Sequence, residues 1–480
     1  MSRTDATWSG TWVTERLGIR LVDTAGPGTP ADTPRLADLA GLAVRRNPRR
    51  AHLIVSEVLG KHIPVDPRTV YTAGWLLGRR VAELLGAKLT DVDAVPGPDR
   101  APAPGAGIPP AGVAHLPEPP LVVGYAETAT ALGHVVADVF AGADYLHSTR
   151  RPVPGVPLLG RFDETHSHAT EHLLLPADPG WLDRPGPLLL VDDELSTGRT
   201  AAATIRALHA LRPREHYVIA TLLDLRGGPD QRMLAELGTE LGARVDVVSL
   251  AAGGVVLPDD VLERGRALVD AVDTGRPPAG PHRSGGRSPA PRRAPSDVVR
   301  VDAGWPADLP DGGRHGFAAR HRPALAGAVS RLAEQVAAGF PDDARILVLG
   351  TEEFMYAPLA LACRLARTRR GPVRFSSTTR SPVLAVDEPG YAIRTTLTFP
   401  PHDHETDGVR YVYNVAPPDA AEPFDRIVLV VDRTADTPRL WQDDGLVAAL
   451  RAVSGGVTVA VVPDLVPVVA TAPAGQEVAR

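Results

Sequence analysis

The chain is organised around one stretch of sequence, Val191-Asp192-Asp193-Glu194-Leu195-Ser196-Thr197-Gly198-Arg199-Thr200. This stretch follows the apolar run Leu188–Leu190 and precedes Ala201–Leu211, whose composition is typical of a helix. The pattern predicts a buried strand that ends at Val191, then an acidic pair, a small polar loop and a helix. Because ligands of open α/β sheets bind at the carboxyl ends of the strands, we expect a binding site here.

The residues of this stretch suit a phosphorylated sugar. Asp192 and Asp193 can accept hydrogen bonds from two neighbouring ribose hydroxyls, directly or through Mg²⁺, a hard cation that prefers carboxylate and phosphate oxygens. The loop Ser196–Thr200 offers hydroxyls and backbone N–H groups, and Gly198 permits backbone geometry that other residues avoid. The helix that follows turns its N-terminus towards the loop, where an anion is favoured.

Two other interpretations of the acidic strand explain less. A Walker B strand would need a partner P-loop, and the chain's two lysines, Lys61 and Lys88, do not lie in one. Gly60-Lys61-His62 lacks both the Ser or Thr and the upstream Gly of that motif. An acidic strand of the response-regulator type leaves the Ser-Thr-Gly-Arg-Thr loop unexplained.

Composition narrows the class of protein. The net charge of -6 argues against a general nucleic-acid binder. The single Cys363 excludes an intramolecular disulfide framework and a cysteine-based metal cluster. The N-terminal residues show no signal-peptide pattern, and no apolar run of about twenty residues occurs, so we expect a cytoplasmic protein without a membrane span.

The distribution of Pro, Gly, Ser and Arg predicts three parts: a first domain over 1–275, a linker over 276–299 and a second domain over 300–480. Strand-like and helix-like segments alternate in both domains, which predicts parallel sheets with crossover helices. The strand-like runs are Leu121–Val123, Leu188–Val191, Tyr217–Leu223, Val245–Leu250, Ile346–Leu349, Val373–Ser376, Val409–Val415, Ile427–Val431 and Val457–Val462. The helix-like stretches are Thr128–Phe140, Ala201–Leu211, Gln231–Leu241, Leu325–Phe340 and Pro358–Thr368.

A second strand-loop-helix motif precedes the first by about 70 residues. It runs from Val122 through Gly124 into the small polar loop Ala126-Glu127-Thr128-Ala129-Thr130. Backbone donors and a helix N-terminus at such a loop can hold an anion. Many α/β proteins contain a similar turn, so the motif gains its weight from the acidic strand that follows.

Together these motifs resemble those of the type I phosphoribosyltransferases. The resemblance is closer still to the orotate phosphoribosyltransferase-like family found with bacterial tellurite-resistance gene clusters, in which a second domain is named for a Thr-Arg-Ser-Pro (TRSP) motif. The further segments that carry it are Ser56–Pro64, His166-Ser167-His168, Gly350–Tyr356, Thr379-Arg380-Ser381-Pro382 and Tyr411–Val415.

The resemblance implies a substrate and a division of roles. Phosphoribosyl pyrophosphate (PRPP) would bind with Mg²⁺, its ribose at Asp192 and Asp193. Its 5-phosphate would lie along the loop Ser196, Thr197, Gly198, Arg199 and Thr200, and Glu194 and Leu195 would also contact PRPP. Its pyrophosphate would lie at Ala126–Thr130. The reaction would be the transfer of 5-phosphoribosyl to a base-like nitrogen, or the reverse of that transfer. The resemblance also implies a homodimer.

In type I enzymes a mobile loop closes over the substrate between the two motifs, and in orotate-type enzymes it carries a lysine. Here that segment has no lysine, so Arg150, Arg151 or Arg161 would have to neutralise pyrophosphate. Proton transfer would then fall to His166 or His168. Together with His172, Asp163 and Glu164, these histidines also permit a metal site or a solvated loop.

Other candidates stay open. Lys61 is predicted to reach PRPP, with a surface turn before Pro64 as the alternative. In the second domain the candidates are Thr351, Glu352, Glu353, Thr379, Arg380 and Ser381. The two glutamates would bind ribose or a metal, or else Glu353 would cap a helix. Arg380 would bind an anion or pair with a local acid. The segment His402–Glu405 resembles a metal cluster, although its turn residues favour a solvated loop.

The preferred hypothesis is a PRPP-dependent transferase. The alternative is a binding protein that senses PRPP or a nucleotide without turnover, which the loop without lysine keeps open. The intact acidic pair favours the enzyme.

Overall fold

The computed structural model describes residues 7–24, 33–47, 49–89, 114–153, 156–163, 171–274, 297–403, 408–416 and 423–463. Its strands, in chain order, are β1 (Arg20–Asp23), β2 (Ala40–Val44), β3 (His52–Ser56), β4 (Lys88–Leu89), β5 (Ala114–His115), β6 (Leu121–Gly124), β7 (Asp144–His147), β8 (Gly160–Asp163), β9 (Glu171–Leu174), β10 (Leu188–Leu195), β11 (His216–Asp224), β12 (Arg244–Val256), β13 (Asp297–Asp302), β14 (Ile346–Gly350), β15 (Val373–Ser377), β16 (Thr396–Phe399), β17 (Arg410–Tyr413), β18 (Arg426–Asp432) and β19 (Gly456–Val462).

Its α-helices are α1 (Thr11–Leu17), α2 (Leu36–Leu39), α3 (Pro67–Leu84), α4 (Thr130–Asp138), α5 (Arg199–Leu211), α6 (Gly228–Leu241), α7 (Val261–Asp273), α8 (Arg322–Ala337), α9 (Tyr356–Thr368) and α10 (Leu446–Arg451). Among the described residues, none of these helices combines the length and the hydrophobicity that a membrane span requires.

The first large sheet has the strand order β1-β12-β11-β10-β6-β7. All its pairs are parallel except β1 with β12, which is antiparallel. Helices α4, α5 and α6 connect its parallel strands, as the alternation of segments predicts. Strands β6, β10 and β11 are rich in buried Leu, Val and Ile because both faces of a parallel sheet are covered by helices. The predicted parallel α/β sheet is therefore confirmed.

The acidic strand is longer than the sequence suggests. The prediction that it ends at Val191 is wrong, because β10 continues to Leu195. It pairs with β11 as far as Leu195, but with β6 only as far as Val191. Asp192 and Asp193 therefore lie beyond the end of β6, in the space that the loop after β6 also borders. The polar side chains did not stop the strand because β11 still satisfies its backbone groups.

The second large sheet, with the order β13-β19-β18-β14-β15, is parallel throughout and confirms a second α/β domain. Its first strand begins at Asp297, inside the range predicted for the linker. The other residues of that predicted linker, 276–296, lie outside the described part of the chain.

The two domains pack closely against each other. Val65 and Phe375 exchange two backbone hydrogen bonds, of 2.9 and 2.8 Å, and Tyr145 does the same with Phe317. Gly60 has a φ of +70°, and a Cβ there would lie only 2.4 Å from the ring of Phe375. A side chain at position 60 would thus separate the domains. One hydrophobic core contains buried residues of both, so the second domain forms part of the surroundings of the first domain's sheet.

Residues of the first domain that precede Leu121 form a hairpin that the sequence did not predict. Strands β2 and β3 pair antiparallel, from Ala40 with Ser56 to Val44 with His52. The hairpin reaches the second domain through Val44, whose N–H donates to the Tyr391 hydroxyl at 2.9 Å. It therefore forms a wall between the first sheet and the second domain.

Candidate functional site

One cavity of about 590 Å³ lies at the carboxyl ends of β6 and β10. Four parts of the chain line it: the acidic strand with its loop, the loop after β6, the β2–β3 hairpin and the TRSP segment of the second domain. Of the predicted site residues, those that line it are Ala126, Glu127, Thr128, Arg150, Asp192, Asp193, Glu194, Leu195, Ser196, Thr197, Gly198, Arg199, Thr200, Thr379, Arg380 and Ser381. The cavity is thus built by both domains.

The acidic pair gives one wall of the cavity a negative charge. Burial, together with the negative charge of Glu194, raises the pKa of Asp193 to about 6. A raised carboxyl pKa means that the surroundings disfavour the ionised form. A cation or a set of hydrogen-bond donors placed there would remove this cost. The next acid, Glu194, pairs through its Oε1 with Arg50 of the hairpin at 2.7 Å.

The loop Ser196–Thr200 leads into α5, which begins at Arg199. Gly198 has a φ of +77°, a conformation that L-residues rarely adopt, and a Cβ there would lie 3.0 Å from Leu234. Glycine therefore permits the sharp change of direction from strand to helix. The first N–H groups of a helix have no partner within that helix, so the turn presents donors and a positive dipole end to the cavity. This arrangement suits a phosphate group.

The loop after β6 is held from below by a short chain of hydrogen bonds. The Ala126 N–H donates to Ser148 Oγ at 3.0 Å, and this Oγ lies 2.9 Å from His172 Nδ1. The peptide bond between Ala126 and Glu127 is cis. Of the predicted loop, Ala129 and Thr130 lie outside the cavity, because both are buried where α4 begins.

Lys61 lies underneath this loop. It is only 2 % exposed, so the alternative of a surface turn is wrong. Its Nζ lies 3.3 Å from Glu127 Oε2 and donates to the Glu352 carbonyl oxygen at 3.0 Å. Lys61 therefore supports the loop from the protein interior, and it is not among the residues that line the cavity.

The TRSP segment enters the same cavity from the opposite side. Arg380 Nε lies 3.0 Å from Glu127 Oε1, and Arg380 also donates to Glu352 Oε2. Ser381 Oγ accepts a hydrogen bond of 3.2 Å from Arg45 of the hairpin. Arg380 thus pairs with an acid of the other domain as well as with one of its own domain.

The expectation that Glu352 and Glu353 bind ribose or a metal is not supported by their surroundings, since they are 1 % and 4 % exposed. Burial would raise the pKa of Glu352, but Arg151, Arg380 and Arg410 hold it below its ordinary value. The pKa of Glu353 is about 2, because the attraction of Arg314 and other cations outweighs its burial.

Neither glutamate caps the helix that follows, since α9 begins after Met355 without a side-chain cap. Thr351, the third candidate of this loop, is 1 % exposed, and its backbone forms an isolated bridge with Phe354. The loop is therefore part of the buried contact between the domains.

Two further predicted loops are His402–Glu405 and the segment that contains His166 and His168. The solvated-loop interpretation of His402–Glu405 is wrong for its first two residues, because His402 and the side chain of Asp403 are each 3 % exposed. Asp403 pairs with Arg151 at 2.7 Å. His166 and His168, like 404–407, lie outside the described residues. Within the described residues, no three carboxylate, imidazole or thiolate groups are gathered so as to hold a metal ion.

His62 and Tyr411 are among the cavity-lining residues that were not predicted as site residues. His62 Nε2 is buried without a hydrogen-bond partner in the described structure. Burial, followed by the positive charges of Lys61 and Arg45, lowers the pKa of His62 to about 3, so its imidazole is neutral. Its position next to Lys61, within the segment Ser56–Pro64, was the sequence signal for it.

Comparisons with known proteins match two parts of the chain to families. A family described as "Phosphoribosyl transferase" matches residues 39–254, and one described as "TRSP domain C terminus to PRTase_2" matches residues 311–450. The two matches together span most of the chain. No curated protein matches it.

Similar solved structures include adenine phosphoribosyltransferases from three organisms. That of Rhodothermus marinus is 22 % identical over 28 % of this chain and 69 % of its own, with a TM-score of 0.21. That of Giardia lamblia, complexed with 9-deazaadenine, is 20 % identical over 28 % of this chain and 70 % of its own, with a TM-score of 0.20. That of Trypanosoma brucei, in complex with AMP, pyrophosphate and ribose-5-phosphate, is 15 % identical over 28 % and 57 %, with a TM-score of 0.21. Scores this low support no inference about the site.

Proposed function

Because the chain belongs to the family of phosphoribosyl transferases that carry a C-terminal TRSP domain, we propose that its cavity binds PRPP and that the protein transfers 5-phosphoribosyl to a base-like nitrogen. One observation carries the proposal. The acidic pair, the loop Ser196–Thr200 and the first three residues of the loop predicted over Ala126–Thr130 all line one cavity, although they were predicted to bind three different parts of PRPP.

The proposed placement follows the hydrogen-bond donors and acceptors that each wall offers. The 5-phosphate lies at Ser196–Thr200, where the turn and the start of α5 supply donors. The ribose hydroxyls donate to Asp192 and Asp193. The pyrophosphate lies at Ala126–Thr128, whose backbone is fixed by Ser148. A volume of about 590 Å³ leaves room beside PRPP for a second small molecule.

The residues present fit a magnesium ion brought in with PRPP. Asp193 is a carboxylate whose ionised form is disfavoured by burial and by Glu194, and a divalent cation next to it would reverse that effect. Asp192 and Asp193 would hold the ion, directly or through water. When bound, Mg²⁺ would neutralise negative charge on the pyrophosphate.

The transfer itself requires little covalent chemistry from the protein. The bond between ribose C1 and the pyrophosphate oxygen breaks, and its electron pair leaves with pyrophosphate. The acceptor nitrogen uses its lone pair to bond to C1 and gives up a proton. The chain's residues contribute by positioning the reactants and by balancing charge. The same groups serve the reverse reaction, in which pyrophosphate attacks a nucleotide.

The remaining wall of the cavity suits a flat, partly polar acceptor. Leu53 and Ile54 of the hairpin and Tyr411 of the second domain offer apolar surface. Asn47 and His62, which also line the cavity, offer polar contacts. A heterocyclic base has both kinds of surface, which supports a base-like acceptor without naming one.

The second candidate function is a PRPP or nucleotide sensor without turnover. It is favoured by Arg151, which lies in the segment where an orotate-type enzyme places its lysine. Arg151 is buried in ion pairs with Glu352 and Asp403, at 3.1 and 2.7 Å, and is thus tied to the domain contact. Arg150 does line the cavity, which leaves a cation of that segment for the enzyme.

Release of pyrophosphate separates the two candidates. The full chain is mixed with PRPP, Mg²⁺ and a panel of heterocyclic bases, and pyrophosphate is measured. Release that depends on one base supports the enzyme. Saturable binding of PRPP without release for any base supports the sensor, and an absence of both refutes the proposal. The homodimer and the link to tellurite resistance stay predictions that rest on the resemblance, and the cytoplasmic location stays a prediction that rests on the sequence pattern.

A further inference from the structure

Arg380 belongs to the second domain but contacts the loop at which pyrophosphate is proposed to bind. Its Nε lies 3.0 Å from Glu127 Oε1. Both residues line the cavity, and the Arg380 side chain is 18 % exposed. The TRSP motif therefore does not build a separate site: its arginine reaches into the site of the first domain.

The loop that would hold pyrophosphate has an electrostatic problem that this contact relieves. Glu127 carries a carboxylate, which would repel a polyanion beside it. Lys61 and Arg380 approach this carboxylate from two sides, at 3.3 and 3.0 Å. Two cations beside this carboxylate offset its charge, which reduces the repulsion of an anion at the loop.

Of these two cations, Arg380 is the one that faces the ligand. Lys61 is 2 % exposed and lies beneath the loop. Arg380 lies at the wall of the cavity, and its planar guanidinium has the fork geometry that phosphate groups prefer.

The arginine is held in place before any ligand binds. Its Nε and Nη2 donate to Glu352 Oε2 at 3.1 and 3.0 Å. Glu352 is itself fixed, because its N–H donates to Thr378 Oγ1 and its Oε1 accepts from Arg410. Glu352 has a φ of +53°, a backbone conformation that is unusual for a residue other than glycine. Residues that their surroundings hold in such uncommon backbone conformations cluster at functional sites.

We propose that Arg380 binds the pyrophosphate of PRPP and neutralises the charge that it gains as the C1–oxygen bond breaks. In this account the TRSP domain supplies the cation that orotate-type enzymes carry on a loop lysine, and Glu127 and Glu352 position it. The proposal rests on the proposed function, since it assigns a residue to that same site.

The test compares three ligands by calorimetry on the full chain: PRPP and inorganic pyrophosphate, each with Mg²⁺, and ribose 5-phosphate. Arg380→Gln is expected to weaken PRPP and pyrophosphate by at least tenfold while ribose 5-phosphate stays within twofold of the wild type. Arg394→Gln is the matched control, because Arg394 pairs with Asp387 on the surface of the same domain. This variant is expected to bind all three ligands as the wild type does.

The proposal would be overturned if Arg380→Gln bound pyrophosphate as tightly as the wild type does. It would also be overturned if the variant lost affinity equally for all three ligands. If Arg380→Gln fails to fold, Arg380→Lys keeps the charge for both glutamates but lacks the fork. Selective weakening of pyrophosphate by Arg380→Lys then supports the proposal, and unchanged binding overturns it. A wild type that binds neither PRPP nor ribose 5-phosphate contradicts the proposed function instead.

Discussion

The guanidinium of Arg380 lies 3.0 Å from the carboxylate of Glu127, and this pair joins the second domain to the pyrophosphate loop of the first. The contact is accompanied by backbone hydrogen bonds between the domains, such as those of Val65 with Phe375. The cavity is therefore a property of the whole chain, and its two halves are expected to depend on each other.

Lys61→Met is expected to destabilise the protein by about 2 kcal/mol, because it removes a charged donor from two buried acceptors. Glu127 would lose one of its two cations, and the Glu352 carbonyl would lose a donor. Urea unfolding followed by circular dichroism measures the loss. Lys88→Met is the control, since Lys88 is the chain's other lysine and is exposed. Equal stability of the two variants would contradict the supporting role of Lys61.

Gly198→Ala is expected to weaken PRPP binding and to lower stability by about 1–2 kcal/mol, the cost of a left-handed conformation for an L-residue. Its φ is +77°, and the new Cβ would press on Leu234. Gly242→Ala provides the matched control, because Gly242 has a φ of +61° in open space at the end of α6. Both variants should unfold at a lower urea concentration than the wild type, but only Gly198→Ala should lose affinity in a PRPP titration. A similar affinity for both would argue against the phosphate loop.

The pH dependence of PRPP binding should report the ionisation of Asp193. Burial and Glu194 raise the pKa of Asp193 to about 6, so the carboxylate is ionised above that pH and protonated below it. Only the ionised form attracts the cation and accepts from both ribose hydroxyls. Affinity is therefore expected to fall by about tenfold between pH 8 and pH 5, in addition to any effect of the ligand's own ionisation.

Asp193→Asn separates the two contributions to that profile, because it retains the ligand's titration and loses that of position 193. Titrations of both proteins across this pH range measure the difference. Identical profiles for wild type and variant would show that Asp193 does not titrate at the binding site.

The sequence predicted most of the parallel sheets because buried strands and crossover helices leave strong local patterns. The predicted run Ile346–Leu349 and the observed strand Ile346–Gly350 differ by one residue. Strand β10 was predicted four residues too short, because its acidic end carries no local sign that β11 continues to pair with it. The β2–β3 hairpin was not predicted from the sequence, and part of its surroundings, such as Tyr391, comes from a distant part of the chain.

The site shows the same division between local and long-range information. Spacing along the chain was enough to propose the acidic strand and the two loops. Nothing in the sequence shows that Arg380 meets Glu127, or that Lys61 lies beneath a loop that follows it by more than sixty residues. The sequence also did not show that Glu352 is surrounded by arginines, since Arg151, Arg380 and Arg410 come from other parts of the chain. Ion pairs between domains depend on how the domains pack, which residue patterns do not encode.

The most direct test of the central claim is a calorimetric titration of the full chain with PRPP and Mg²⁺. We predict saturable binding to the wild type. We also predict at least a tenfold loss for Asp193→Asn, which corresponds to about 1.4 kcal/mol or more. Asp259→Asn, which changes an exposed acid outside the cavity, is expected to bind as the wild type does. No binding to the wild type, or equal affinity of wild type and Asp193→Asn, would contradict the account.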